Sequence, residues 1–256
     1  MPVMHQYEPG TPSWVDLGTP DPQAAADFYA AVFGWDIEDL GEQAGHYRMA
    51  RLDGRAVCGI GPQMNENMPA WWTTYITVAE VDRTAEQIPA AGGQVLMAPM
   101  DVMDAGRMLV ATDNGGAAFA CWQPGASIGS EIVNEVNTLC WNELTTRAGD
   151  AAVEFYEAVF GWGAQRSDDG QMDYTEWQLG GASIGGMMRM DENWPAEIPN
   201  HWLVYFRVAD ADATCERITS LGGSVKMPPM DIPPGRFAVV EDNQGAIFAI
   251  LRFAEA

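Results

Sequence analysis

Two carboxylates follow a tryptophan at the same spacing, in the phrases Trp14-Val15-Asp16 and Trp141-Asn142-Glu143. An acidic side chain beside an indole in a half-dry setting is a candidate proton shuttle, because lost hydration raises its pKa. Other reactive groups are few. The chain has three histidines, His5, His46 and His201. His201 opens the stretch HWLVYFR, whose alternate residues His201, Leu203, Tyr205 and Arg207 share one face of a strand. Imidazole is the usual base near neutral pH, and a carboxylate can orient it. His201, Glu143 and Tyr205 are therefore the candidate acid–base group, with Asp16 in the place equivalent to Glu143. Cys58, Cys121, Cys140 and Cys215 stand far apart with no CxxC pair, as expected of buried thiols in a reducing compartment. A Ser-His-Asp spacing, a nucleophile elbow and a phosphate-cradling glycine loop are all missing from the sequence.

Composition narrows the partners. Asp and Glu number 36 against 13 Lys and Arg, a net charge of −23. Such a chain repels phosphate backbones and anionic lipid, so neither nucleic acid nor a membrane surface is an expected partner. No run approaches the roughly 18 apolar residues of a membrane helix. The stretch MPVMHQYEPG has neither the basic start nor the apolar core of a secretory signal, so a cytoplasmic protein is expected.

The elements that must position these residues are announced by a repeat. FYAAVFGW at 28–35 returns as FYEAVFGW at 155–162, an offset of 127 residues from Phe28 to Phe155. The likeness runs on through GR dipeptides, strand-like runs and DN-x-G turns to the end of each half, so the chain is a tandem duplication. Two homologous domains are expected, at 8–126 and 133–254. Within the first, SWVDLGT alternates as a strand. An Asp-Pro helix start then leads into a helix that stops at Gly34, with Phe28, Tyr29, Val32 and Phe33 as its apolar stripe. Strands DIEDL, HYRMARL and AVCGIGP follow, with turns at Gly41–Gly45 and Asp53-Gly54. The next module repeats the order: WTTYITV, helix VDRTAEQIPAAG, then VLMAPMD, GRMLVAT and AAFACW. Each domain thus reads as two βαβββ modules, an α+β arrangement.

With these features the chain resembles the vicinal oxygen chelate superfamily of glyoxalases, bleomycin-resistance proteins and extradiol dioxygenases. The strand before DFYAAVFGW, the helix exits AAGGQV and LGGSV, and the endings DNGGAAFACW and DNQGAIFAIL carry the resemblance over nearly the whole chain. It is similar in particular to the double-domain hydroxylase-like or glyoxalase-like form of actinobacterial antibiotic clusters. The resemblance implies that paired modules curl a mixed sheet into a cup. In family enzymes a divalent metal there is held by His, Gln or Glu from four strand positions. These positions fall on Trp14, Gly59, Thr73 and Ala120 in the first domain, and on Trp141, Gly185, Leu203 and Ala249 in the second. None is a strong ligand for such an ion, so no metal site and no cofactor are expected.

Alternation from the same positions turns Trp14, Asp16, Trp71, Thr73, Tyr75 and Trp122 inward in the first cup. In the second it turns Trp141, Glu143, His201, Leu203, Tyr205 and Arg207 inward. Seven tryptophans (14, 71, 72, 122, 141, 177 and 202) fall on expected strands, and the methionines of MMRM (187–190) and MPPMD (227–231) offer an adaptable rim. Aromatic walls without metal suit a flat hydrophobic ligand, with Trp14, Trp71, Tyr75, Trp122, Trp141 and Arg207 as binding residues. The function expected is binding or tailoring of an aromatic natural product by a monomer or homodimer. The alternative is a glyoxalase-type enzyme acting on small α-oxoaldehydes through His201 and Glu143.

Overall fold

The computed structural model describes residues 3–63, 65, 68–167 and 173–254. The first half runs β1 (Pro12–Thr19), α1 (Pro22–Phe33), β2 (Asp36–Asp39), β3 (Arg48–Leu52) and β4 (Arg55–Pro62). Its second module is β5 (Trp71–Thr77), α2 (Val81–Ala90), β6 (Gln94–Val102), β7 (Gly106–Thr112) and β8 (Ala118–Pro124). The second half repeats this as β9 (Leu139–Thr146), α3 (Gly149–Phe160), β10 (Gly163–Arg166), β11 (Tyr174–Leu179) and β12 (Ala182–Arg189). It closes with β13 (His201–Arg207), α4 (Ala211–Ser220), β14 (Ser224–Ile232), β15 (Gly235–Glu241) and β16 (Ile247–Phe253). Each half is one eight-stranded mixed sheet, ordered β2-β3-β4-β1-β5-β8-β7-β6 and β10-β11-β12-β9-β13-β16-β15-β14. Where the modules meet, β1 runs antiparallel to β5. Within them β1 is parallel to β4 and β5 to β8. The expected α+β tandem of paired βαβββ modules is what the chain forms.

Local chemistry sets the element ends. Asp21 caps α1 by accepting from the amides of Gln23 and Ala24, and Pro22 fills the first turn, where no amide hydrogen is needed. Gly34 and Gly161 end the equivalent helices α1 and α3 at φ 72° and 73°, a left-handed turn that a side chain disfavours.

The repeated phrase also joins the halves. Phe33 lies 5.2 Å from Phe206 and Tyr29 lies 5.5 Å from Phe248, both in the second half. Reciprocally, Phe155 and Tyr156 reach Phe119 of the first half at 6.1 and 6.0 Å. Buried hydrogen bonds follow the same exchange: Tyr29 donates to Asp242 at 3.0 Å and Tyr156 to Asp113 at 3.2 Å. The Trp35 indole donates to the Asn137 carbonyl, and that of Trp162 to the Gly10 carbonyl, each at 2.7 Å. Two main apolar clusters therefore draw on both halves. Two smaller ones, around Trp14, Tyr75 and Trp122 and around Leu203 and Tyr205, sit on the opposite faces of the two sheets. Those faces are the cups.

Candidate functional site in the cups

Strand alternation splits the tryptophans between the two faces. Trp72, Trp177 and Trp202 are buried in the clusters shared between halves, and Trp14, Trp122 and Trp141 face the cups. Met187 and Met190 are also buried, with Met187 in a shared cluster, so the expected MMRM rim does not form there. In the first cup the methionines at the cavity are instead Met49, Met103 and Met108.

On β1, Asp16 lies opposite Gly59 of β4 and Thr73 of β5. Its Oδ2 accepts from the Tyr75 hydroxyl at 2.8 Å and from the Tyr47 hydroxyl at 3.3 Å. Tyr47 in turn accepts from the Trp14 indole at 3.2 Å. Both tyrosines use Oδ2, and among the described residues Oδ1 has no hydrogen-bond donor. Asp16 also lines a cavity of about 190 Å³ together with Trp14, Tyr75 and Trp122. Burial outweighs the two hydroxyls and raises its pKa to about 6.

The second cup repeats the arrangement. Glu143 accepts from the Tyr205 hydroxyl at 3.0 Å and from Tyr174, and Tyr174 accepts from the Trp141 indole at 2.8 Å. Desolvation again dominates and brings Glu143 to about 7. The tyrosines are held well above their ordinary range, first by burial and then by the neighbouring carboxylate, so they remain hydrogen-bond donors. The expected pairing of Glu143 with Tyr205 forms. Tyr47 and Tyr174, absent from the sequence-derived set, complete the two networks.

Other expected members of the site lie elsewhere. His201 accompanies Thr145, two residues beyond Glu143 on β9, and its Nδ1 meets the Pro199 carbonyl at 2.8 Å. Its ring stands 5.8 Å from that of Trp71, edge to face, so these two residues mark the seam between halves. Burial pushes His201 below the usual imidazole range. The expected convergence of His201 on Glu143 is replaced by the Tyr205–Glu143–Tyr174 network, and Trp71 does not line the first cavity. Arg207 turns to the stretch just before β9, donating to the Asn134 carbonyl and lying 5.4 Å above the Phe253 ring.

The divalent metal of the family does not fit these residues. Strand register sets Gly59 opposite Asp16 and Gly186, not Gly185, opposite Glu143. A Cβ at Gly59 would overlap the Tyr47 hydroxyl, and one at Gly186 the Tyr174 hydroxyl. In each cup the space of one expected ligand is thus taken by a tyrosine already bound to the carboxylate. The remaining positions hold Trp14, Thr73 and Ala120, or Trp141, Leu203 and Ala249, which leaves one carboxylate per cup.

A fold of paired βαβββ modules with cups on its outer faces defines the vicinal oxygen chelate class. The family model described as Glyoxalase/Bleomycin resistance protein/Dioxygenase superfamily matches residues 11–120 and 136–250, and the chain belongs to that superfamily. It is 46% identical over 260 residues to CFP32 of Mycobacterium tuberculosis (strain CDC 1551 / Oshkosh), provisionally named a glyoxylase, covering 98% of each chain. It is 37% identical over 271 residues to the anthracycline biosynthesis protein DnrV of Streptomyces peucetius, covering 98% of this chain and 96% of that one. Among solved structures, the Mn(II)-bound glyoxalase from Novosphingobium aromaticivorans superposes with a TM-score of 0.67. It is 15% identical, with 96% of this chain and 83% of that one covered. The 2,3-dioxygenase LapB from Pseudomonas sp. KL28 gives 0.63 at 13% identity, with 96% and 92% covered. These structural likenesses concern the fold. Among the described residues no helix is long and apolar enough to cross a membrane.

Proposed function

We propose that the protein binds a flat, hydroxylated or quinone-type aromatic molecule in its first cup without a metal ion. It serves natural-product metabolism by holding that molecule, whether sequestered or presented for a tailoring oxidation. The observation that carries this reading is Asp16 at an apolar cavity walled by Trp14, Tyr75 and Trp122, its Oδ1 without a donor among the described residues. Stacking on aromatic walls supplies affinity, and one convergent polar atom supplies orientation. Similarity to an anthracycline biosynthesis protein supports the setting.

The test is a titration of tryptophan fluorescence with 1-naphthol and with 1,4-naphthoquinone, with and without EDTA, across the pKa of Asp16. With Oδ2 engaged by two hydroxyls, the proton that Asp16 binds below about pH 6 belongs on Oδ1, which then donates. Above that pH Oδ1 accepts. Naphthol, a donor, is expected to bind more tightly as pH rises through 6, and the quinone, an acceptor, more tightly as pH falls. Each change should be roughly tenfold, the scale of a charge-assisted hydrogen bond. Asp16→Asn should flatten both profiles, and EDTA should change neither. Binding that vanishes with EDTA would overturn the reading.

The second reading, a glyoxalase-type enzyme for small α-oxoaldehydes, is favoured by Glu143 at about 7, a range suited to proton transfer. Turnover of methylglyoxal with a thiol, abolished by a chelator, would put it first.

A further inference from the structure

The cup is small for the ligand class just proposed. A cavity of about 150 Å³ holds a benzene ring, and this one measures about 190 Å³. It takes one or two rings, whereas sites for larger ligands run to roughly 300–1,000 Å³. A larger molecule has to continue somewhere. A second cavity, of about 360 Å³, adjoins the cup and shares Met49, Ser127 and Gly129 with it.

This antechamber has a different chemistry. Arg51 follows Met49 by two residues on β3, and its Nε lies 3.0 Å from Glu38. Its guanidinium is also 3.8 Å from Glu131, whose Oε2 accepts from the Ala56 amide at 2.7 Å. Ser127 and His5 add polar groups to the lining. The wall is held in place from both sides: the Trp122 indole donates to the Ser127 carbonyl, and the Met4 amide to the Glu131 carbonyl. An incoming anion would face Glu131 on a chain of net charge −23. An incoming cation would face Arg51. Neutral hydroxyl groups meet donors and acceptors together, without disturbing the ion pairs.

We infer that cup and antechamber form one bipartite site for an aromatic molecule bearing a neutral polyhydroxylated substituent. The ring lies in the cup, and the hydroxyls lie against Arg51, Glu131, Ser127 and His5. Met49, unbranched and flexible, stands between the two chambers as a movable divider. The inference rests on the first cup being an aromatic site.

Isothermal titration of the intact protein with 1-naphthol, 1-naphthyl β-D-glucoside and 1-naphthyl β-D-glucuronide tests it. The neutral glucoside is expected to bind roughly tenfold more tightly than naphthol, the scale of one or two added hydrogen bonds. The anionic glucuronide should gain less than the glucoside. Glu131→Gln and the surface change His5→Ala should each narrow the ratio of glucoside to naphthol affinity. If naphthol binds and the glucoside binds no better, or the glucuronide binds best, the bipartite site is wrong while the aromatic cup stands. If neither naphthol nor the glycosides bind, both fall.

Discussion

At the scale of single residues, the two cup carboxylates differ from every exposed acid in the chain. Glu143 is almost wholly enclosed and titrates at about 7 against an ordinary value of 4.5. A folded-state pKa above the unfolded one means that the folded protein holds the proton between these values. The stability this contributes is full below about pH 4.5 and is lost as pH rises through 7. A rise of this size corresponds to roughly 3 kcal/mol. Glu143→Gln, which still accepts from Tyr205 but carries no charge, should therefore raise the melting temperature at pH 8 and leave it nearly unchanged at pH 4. Equal gains at both pH values would mean that charge burial is not what the substitution relieves. Asp16 and Glu143 could be singled out from the sequence because each follows a tryptophan at the same spacing. Their tyrosine partners were equally present in the text, since Tyr47 and Tyr174 stand 127 residues apart, the offset of the repeat. Alternation along β1 and β5 could not reach them, because Tyr47 sits just before β3 and Tyr174 opens β11, and both enter the cup through the space left by glycine.

At the scale of elements, that glycine space is a packing constraint between β3 and β4. Gly59→Ala would drive a methyl into the Tyr47 hydroxyl, and overpacking of this kind costs roughly 1–3 kcal/mol. In a Tyr47→Ala background the same substitution should cost far less, so urea titrations of the two single variants and the double variant should show strong coupling. Additive costs would mean that the tyrosine moves aside freely. The helices and strands themselves were legible. Asp21-Pro22 and Gly34 gave the ends of α1, and alternation gave the inner and outer faces of β1 and β5. The first shortfall was Gly185, one residue short of the Gly186 that the repeat offset of 127 makes the counterpart of Gly59 and that strand register sets opposite Glu143. The second was His201, correctly set on a strand face. Its side chain follows the Pro199 carbonyl and the Trp71 ring, contacts that no strand pattern encodes.

At the scale of the whole molecule, each half completes the apolar core of the other. The aromatic faces of α1 and α3 would stand in water if the halves parted, and losing a buried Phe or Trp side chain costs roughly 3–5 kcal/mol. The full chain should unfold in urea as one transition by tryptophan fluorescence and circular dichroism alike. Residues 1–126 produced alone should self-associate or fail to fold, and a well-folded monomeric half would refute the shared core. The sequence announced the duplication but not this mutual closure, because internal likeness does not say which copy a helix face will meet. The reciprocal bonds Tyr29–Asp242 and Tyr156–Asp113 are the pattern of a two-fold dimer written on one strand of polypeptide. In a true dimer, any change would appear twice and alter both sites together. Fusion frees the copies from that symmetry: one can keep an aspartate and the other take a glutamate, so a single ancestral cup can become two of different chemistry inside one molecule.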